Sequence, residues 1–272
     1  MPTTAKEITE IVKSLKSSHS CGYDEISTKV LKYSLPCIIS PLVYICNLSL
    51  TNGIFPTLLK FSQINPLFKK GSKSEIANYR PVSLLTSFPK IFEKVICNRL
   101  CDHVINYNIL AHEKYGLRNN LSTEAAAFNL LNNVLDALNN KFMVGGIFCD
   151  LTKAFECVNH SVLLSKLQFY GIMGRAYNLL SSYHFDRYQR VSIKHSDLDN
   201  CFSDWEKVKL GVPQGSILGP LLFLLYINDL PRSVNKLSDS FKLTLFADDT
   251  NIIVTHPKLT KFEEEINKFL TM

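Results

Sequence analysis

The sequence predicts an α+β fold, with helices packed on one face of a mainly antiparallel sheet. Three observations point there. Segments with apolar residues at i, i+3, i+4 and i+7 alternate irregularly with short runs rich in β-branched and aromatic residues. Two of those runs lead directly into acids: Val144 to Cys149 into Asp150, and Leu243 to Phe246 into Asp248 after one alanine. The composition, 46 % hydrophobic and 20 % charged over 272 residues, belongs to a chain that buries a core and excludes a disordered one.

The elements follow in order. Ile8, Ile11, Val12 and Leu15 form one apolar stripe, giving a first helix. A turn-like stretch over 17–24 precedes a second helical region from Ser27. It is expected to break near Pro36 and Pro41, because proline lacks the backbone donor and clashes with the preceding turn. Gly53 and Pro56 close it. Residues 61–68 read as a strand, 71–78 as a loop and 81–85 as a short strand. Residues 89–104 and 122–138 are amphipathic helices, the second with Ser122 as N-cap. A strand over 142–150 is followed by helices over 161–170 and 174–182. Residues 191–212 read as a hairpin with a polar loop. The Gly/Pro cluster at 211–219 then feeds a buried helix from Pro220, a residue favoured at the first helical position. The acid-tipped hairpin comes next, and an amphipathic helix over 259–270 ends the chain. No repeat is present.

The longest apolar run, 217–227, contains Gly219 and Pro220 and is too short to span a bilayer. The first residues lack the apolar core of a secretory signal. The eight cysteines form no CxxC pair, and Cys97 and Cys101 lack partners at zinc spacing. An intracellular protein with reduced thiols is expected, nuclear or cytoplasmic, with no membrane partner.

Charge is clustered. Between Lys60 and Arg99 stand eight basic residues (Lys60, Lys69, Lys70, Lys73, Arg80, Lys90, Lys94, Arg99) and two acids, Glu75 and Glu93. This segment carries the whole net charge of +6 and points to a polyanion, nucleic acid or nucleotide phosphate. A solvated helix face is the alternative for Lys90, Lys94 and Arg99, which fall at helical spacing, and it fits Lys69 to Lys73 less well.

The adjacent acids Asp248 and Asp249 repel: two unit charges about 4 Å apart at an effective dielectric near 20 cost about 4 kcal/mol. A bound cation offsets that cost, and a plain Asx-type turn is the alternative. Local sequence does not place Asp150 beside them. If their strands are neighbours in one sheet, three carboxylates meet at one edge, a hard oxygen set suited to Mg²⁺. Two such ions serve nucleotidyl transfer.

Taken together these residues resemble a known family. The block from Asp150 to Phe155, the run Gly211-Val-Pro-Gln-Gly-Ser-Ile-Leu-Gly-Pro220 and Phe246-Ala-Asp-Asp249 stand in the order of the central motifs of reverse transcriptases. Upstream, Asn78-Tyr-Arg-Pro-Val-Ser-Leu-Leu85 with Lys94 and Arg99 resembles the fingers motifs of the non-LTR (LINE-type, jockey-like) branch. Tyr115-Gly-Leu-Arg118 with Ser122-Thr123 resembles its next motif, and 16–26, with Gly22 and Asp24, the segment before the fingers. The resemblance runs from about residue 15 to the end. It implies a right-hand polymerase with fingers and an antiparallel palm sheet backed by helices, thumb missing. On that reading 1–50 is a helical N-terminal extension and 51–272 an incomplete reverse transcriptase domain.

The resemblance also implies roles. Asp150, Asp248 and Asp249 match the catalytic carboxylates, Asp150 and Asp248 being direct ligands of two Mg²⁺ ions, with Mn²⁺ as a substitute. Phe155 matches the aromatic under the incoming sugar, where a ring leaves no room for a 2′-hydroxyl; a core phenylalanine is the alternative. Gln214 matches a nucleotide contact, and Gly215 leaves room for the sugar and template backbone. Arg80 matches the triphosphate-binding arginine, assisted by Lys69 or Lys70. The implied partners are an RNA template, a DNA primer, dNTPs and the other domains of a longer polyprotein. The rival expectation is an inactive nucleic-acid-binding remnant of such an element.

Some residues have plainer readings. His160 is expected to fix local structure and Trp205 to pack. The run Tyr183 to Arg190 reads either as a nucleic-acid contact by stacking or as a helix–strand connector. His19, His103, His112, His184, His195 and His256 show no site spacing. Departures from the family pattern are Glu156 where an aspartate is usual, Tyr23 where proline is usual, Leu117, and the pair Asn119-Asn120.

Overall fold

A computed structural model describes residues 1–18, 21–116, 122–151, 153–193 and 201–271. In chain order its elements are α1 (Ala5–Ser14), α2 (Thr28–Asn52), β1 (Phe61–Phe68), β2 (Tyr79–Leu85), α3 (Ser87–Asn106), α4 (Thr123–Asn139), β3 (Met143–Asp150), α5 (His160–Phe169), α6 (Gly174–His184), β4 (Tyr188–Ile193), β5 (Cys201–Phe202), β6 (Glu206–Lys207), α7 (Gly219–Tyr226), α8 (Leu230–Asn235), β7 (Phe241–Phe246), β8 (Asp249–His256) and α9 (Leu259–Leu270). The polar loop expected within 191–212 falls on 194–200, outside the described residues. So do His19, His195, Leu117, Arg118, Asn119 and Asn120.

Local chemistry explains most boundaries. Thr4, Ser27, Ser122 and Asn159 each accept a backbone N–H near the start of the following helix. Gly53 ends α2 in the left-handed region, at φ +68°. One expectation fails: α2 runs unbroken through Pro36 and Pro41. Its Leu31, Leu35, Leu42 and Cys46 are buried, and it packs on α1, α3 and α6. Tertiary packing thus overrides the local cost of two prolines. By length and composition α2 is also the one described helix apolar enough to cross a membrane, a longer apolar window than 217–227. All eight cysteines are free.

The chain folds as two compact units, Met1–Asn106 with Phe155–Phe223, and Tyr107–Ala154 with Leu224–Met272. The first unit holds a five-stranded sheet in the order β2-β1-β4-β5, with β6 also on β4. Its strands pair antiparallel except β1 with β4, which run parallel over Phe61–Ile64 and Tyr188–Val191. Pro66 lies beyond that parallel stretch, where its missing N–H costs no ladder bond to β4. Tyr23, in place of the usual proline, donates its hydroxyl to the Leu58 carbonyl at 2.6 Å. Its ring meets Phe61 and Trp205 edge-on, so Trp205 is a packing residue as expected.

The second unit holds a three-stranded antiparallel sheet, β3-β8-β7. Phe241, Leu243, Ile252 and Val254 form its core with Val234 of α8, and Phe262, Ile266 and Phe269 of α9 pack against them. The other face is not bare. Asn129 of α4 donates to Thr244 at 3.3 Å, and Thr244 alternates with Leu243 and Leu245 along β7. Helices therefore back both faces of this sheet, where one was expected. Phe148, Asp150 and Asp249 remain exposed.

Candidate active site

In the second unit the ladder decides how the acids meet. β3 and β8 pair over their full length, and the register sets Asp150 directly opposite Asp249. Directly opposed residues present their side chains to one face with Cβ atoms about 5 Å apart. Asp249 also pairs with Phe246, so Ala247 and Asp248 form a two-residue hairpin turn. Ala247 has φ +53° while Asp248 does not enter the positive region, the pattern of a type II′ turn. That position normally takes glycine, and alanine there stores about 1 kcal/mol or more of strain.

The turn is braced from outside. Leu245 donates its N–H to the Glu113 carbonyl at 2.9 Å, and Tyr115 donates to the Leu245 carbonyl at 2.8 Å. Gly116 follows, buried against the turn: a Cβ there would stand 3.0 Å from the Phe246 carbonyl carbon and run into the Ala247 nitrogen. Lys114, fully buried, donates to the Leu224 carbonyl at 2.8 Å. The Tyr115-Gly116 motif is thus a strut beside the acid hairpin.

The expected meeting of three acids is realised in part. Asp150 and Asp249 are cross-strand partners and Asp248 precedes Asp249 in the turn. No group of three or more His, Cys, Asp or Glu side chains is drawn tightly enough to hold a metal among the described residues. The donors nonetheless fit a hard divalent cation chemically: they are carboxylate oxygens, and no hydrogen bond or ion pair with a described residue engages them.

The other candidate residues lie in the first unit. β2 is the meeting place. Ser83 donates its N–H to the Gln214 carbonyl at 3.0 Å, and a Cβ on Gly215 would stand 3.0 Å from the Ser83 carbonyl oxygen. Gly215 has φ +109°, open only to glycine at no strain. Arg80 is exposed on the same strand, and Lys69 and Lys70 are exposed just past the end of β1, with the Lys69 N–H on the Asn78 carbonyl. Phe155 accepts the Val212 N–H through its carbonyl, and its half-buried ring lies 4.7 Å from the Phe223 ring.

The turn over 211–219 is fixed along its whole length. Gly211 donates to the Val158 carbonyl, while His160, buried, bonds the Gly211 carbonyl at 2.7 Å. Burial holds the His160 imidazole below its usual range, consistent with the local structural role expected of it. At the far end Glu93 receives the Ile217 N–H at 2.7 Å. Glu93 belongs to none of the sequence motifs, yet an acid on an apolar helix face within a basic segment is a signal of such a role.

The exposed basic cluster is smaller than the sequence suggests. Lys60 is buried, its Nζ 3.4 Å from the Ser182 hydroxyl, and burial holds its pKa below the usual lysine range. Arg99 is committed to Glu7 and to the carbonyls of Met1, Pro2 and Val95. Lys69, Lys70, Lys73 and Arg80 remain as an exposed basic group. In the run 183–190, Tyr183, His184 and Arg187 are buried and α6 passes directly into β4, which favours the connector.

Comparison with known proteins agrees with this architecture. Residues 68–271 match the family described as Reverse transcriptase (RNA-dependent DNA polymerase). The chain is 32 % identical over 274 residues to a probable RNA-directed DNA polymerase from transposon BS of Drosophila melanogaster, covering 99 % of this chain and 30 % of that protein. It is 28 % identical over 273 residues to the RNA-directed DNA polymerase from mobile element jockey of Drosophila funebris, covering 99 % of this chain and 29 % of the relative. The chain therefore spans under a third of the length of these relatives. A solved structure of apo telomerase from Candida tropicalis, truncated from its C-terminal domain, superposes with a TM-score of 0.55 at 14 % identity, covering 80 % of this chain and 48 % of that one. At that identity the likeness speaks for the fold alone, a polymerase fingers-and-palm architecture. With three quarters of its length matched and relatives among non-LTR retrotransposon polymerases, this chain belongs to the reverse transcriptase family.

Proposed function

We propose that this chain carries the polymerase core of an RNA-directed DNA polymerase, adding deoxynucleotides to the 3′ end of a DNA primer along an RNA template. One observation carries the reading: in a chain of this family, Asp150 stands opposite Asp249 with Asp248 in the adjoining turn. Asp150, Asp248 and Asp249 would hold the divalent ions, Mg²⁺ or in its place Mn²⁺, with Asp150 and Asp248 serving both. When bound, such ions activate the primer hydroxyl and neutralise charge on the departing pyrophosphate.

The remaining steps belong to side chains. Arg80 offers a planar pair of donors to a phosphate, and Lys69 or Lys70 adds a mobile positive charge. Gln214 contacts the nucleotide, and Gly215 lets the sugar approach the backbone. Phe155 fills the space a ribose 2′-hydroxyl would need, which selects deoxynucleotides by exclusion.

Primer extension on poly(rA)/oligo(dT) tests the reading. Extension by the wild type in Mg²⁺, lost on chelation and in Asp248→Asn, supports it. Absence of any metal-dependent product from the wild type overturns it and leaves the inactive nucleic-acid-binding remnant.

A further inference from the structure

Glu93 is an acid without a place in the chemistry above, and it is 0 % exposed on α3. Its Oε2 accepts the Ile217 N–H at 2.7 Å, and its Oε1 accepts the Tyr183 hydroxyl at 2.8 Å. The Leu218 N–H faces the same carboxylate and favours its charged form. Tyr183, also fully buried, interacts in turn with the hydroxyl of Ser216. The Arg187 guanidinium lies 4.7 Å above the Tyr183 ring and donates to the Tyr183 carbonyl at 3.3 Å. α3 thus holds the turn at Ile217 through Glu93, and α6 holds the same carboxyl through Tyr183.

A buried carboxylate is a costly way to hold a chain together, since apolar residues of the same volume pack at least as well. Burial raises the Glu93 pKa above the usual carboxylate value, and the Arg187 charge and the bonds from Tyr183, Ile217 and Leu218 offset only part of that rise. Each of the two carboxyl oxygens has its own partner, Ile217 for one and Tyr183 for the other. What the arrangement gains is position. The turn it holds contains two glycines at positive φ, Gly211 at +88° and Gly215 at +109°, whose backbone has no side chain to fix it. The entry of the turn is held by Phe155, Val158 and His160, and its middle by Ser83. Its exit is held by Glu93.

We propose that Glu93 is a positioning residue whose buried carboxylate clamps the exit of the 211–219 turn and thereby sets where Gln214 and Gly215 meet the incoming nucleotide. This rests on the nucleotide role proposed above for those two residues. Glu93 touches no substrate; it acts through the backbone N–H groups of Ile217 and Leu218.

The test has two arms. In primer extension, Glu93→Gln raises the KM for dNTP about tenfold, the loss of roughly one charge-assisted hydrogen bond. Its kcat stays within about twofold and its template–primer affinity is unchanged. Tyr183→Phe, which keeps the Ile217 bond, shows a smaller rise. A role in stability alone lowers the active fraction, and so kcat, with KM unmoved; that result overturns the proposal. The second arm is amide hydrogen exchange on the unliganded protein, where Glu93→Gln speeds exchange at Ile217 and Leu218 but not at Gly211 and Val212. Unchanged exchange at Ile217 and Leu218 overturns the proposal whether or not the wild type extends primers. An inactive wild type with altered exchange refutes the polymerase reading while leaving the clamp in place.

Discussion

Gln214 donates its side-chain amide to the Glu156 carboxylate at 2.9 Å, linking two residues 58 positions apart. Glu156 stands where an aspartate is usual in the family. The longer acid fixes one end of the Gln214 amide and so fixes which way its carbonyl points. The same segment is tied a second time, through the Phe155 carbonyl and the Val212 N–H. Glu156→Ala releases Gln214 and is expected to raise the KM for dNTP about tenfold, the equivalent of one hydrogen bond to a charged group. Steady-state kinetics with varied dNTP check this; an unchanged KM removes Gln214 orientation from the account.

Gly116 allows the acid hairpin its outside brace. A Cβ at this position meets backbone, which cannot swing aside as a side-chain tip would. Gly116→Ala is therefore expected to cost about 2 kcal/mol, within the range for overpacking a tight contact, and to displace the turn that carries Asp248. Urea unfolding measures the first effect, and extension rate at saturating dNTP the second. Ala247→Gly is the counter-experiment: with φ at +53° relieved, stability rises by about 1 kcal/mol.

The sequence disclosed elements more readily than partners. The strand ending at Asp150 was legible because an uninterrupted apolar run stops at a charge. Its register against β8 was not, since a period of two assigns faces but names no neighbour. Pro36 and Pro41 misled because local cost is visible in sequence while the packing of α2 on α1, α3 and α6 is not. Lys60 and Arg99 read as part of a basic surface for the same reason: their partners, Ser182 and Glu7, stand 122 and 92 positions away. Motif order located Gln214 and Phe155, yet nothing local showed that Glu93 and Glu156 fix the segments that carry them.

The pair Glu7 and Arg99 gives a pH prediction. Arg99 grips both carboxylate oxygens, at 2.9 and 3.1 Å, and this hydrogen bonding holds the Glu7 pKa below its ordinary value against the opposing effect of burial. A depressed carboxyl contributes stability that is fully present above its unfolded pKa, near 4.5, and is lost as pH falls through the lower folded value. Glu7→Gln is expected to lower stability by about 0.5–1 kcal/mol at pH 7, as for a well-formed pair near the surface. Denaturant midpoints of wild type and variant should converge as the pH falls below 4.5 and through the lower folded-state value. A gap that persists in acid would mean that packing, not charge, accounts for the loss.

Phe155 separates a sugar gate from a core residue. Its ring is half-buried and lies 4.7 Å from Phe223, tilted by 32°, so packing alone accounts for part of it. The gate reading concerns the other part. Phe155→Val opens space where a 2′-hydroxyl would sit, while its backbone carbonyl can still accept the Val212 N–H. Discrimination against ribonucleotides is then expected to fall by on the order of a hundredfold, as when steric exclusion rather than hydrogen bonding sets selectivity. Stability is expected to fall by about 1 kcal/mol from the lost contact with Phe223. Competing dGTP and rGTP incorporation on a poly(rC) template measures the first, and thermal unfolding the second. A loss of stability with selectivity unchanged would assign Phe155 to the core and leave the sugar to be read by another group.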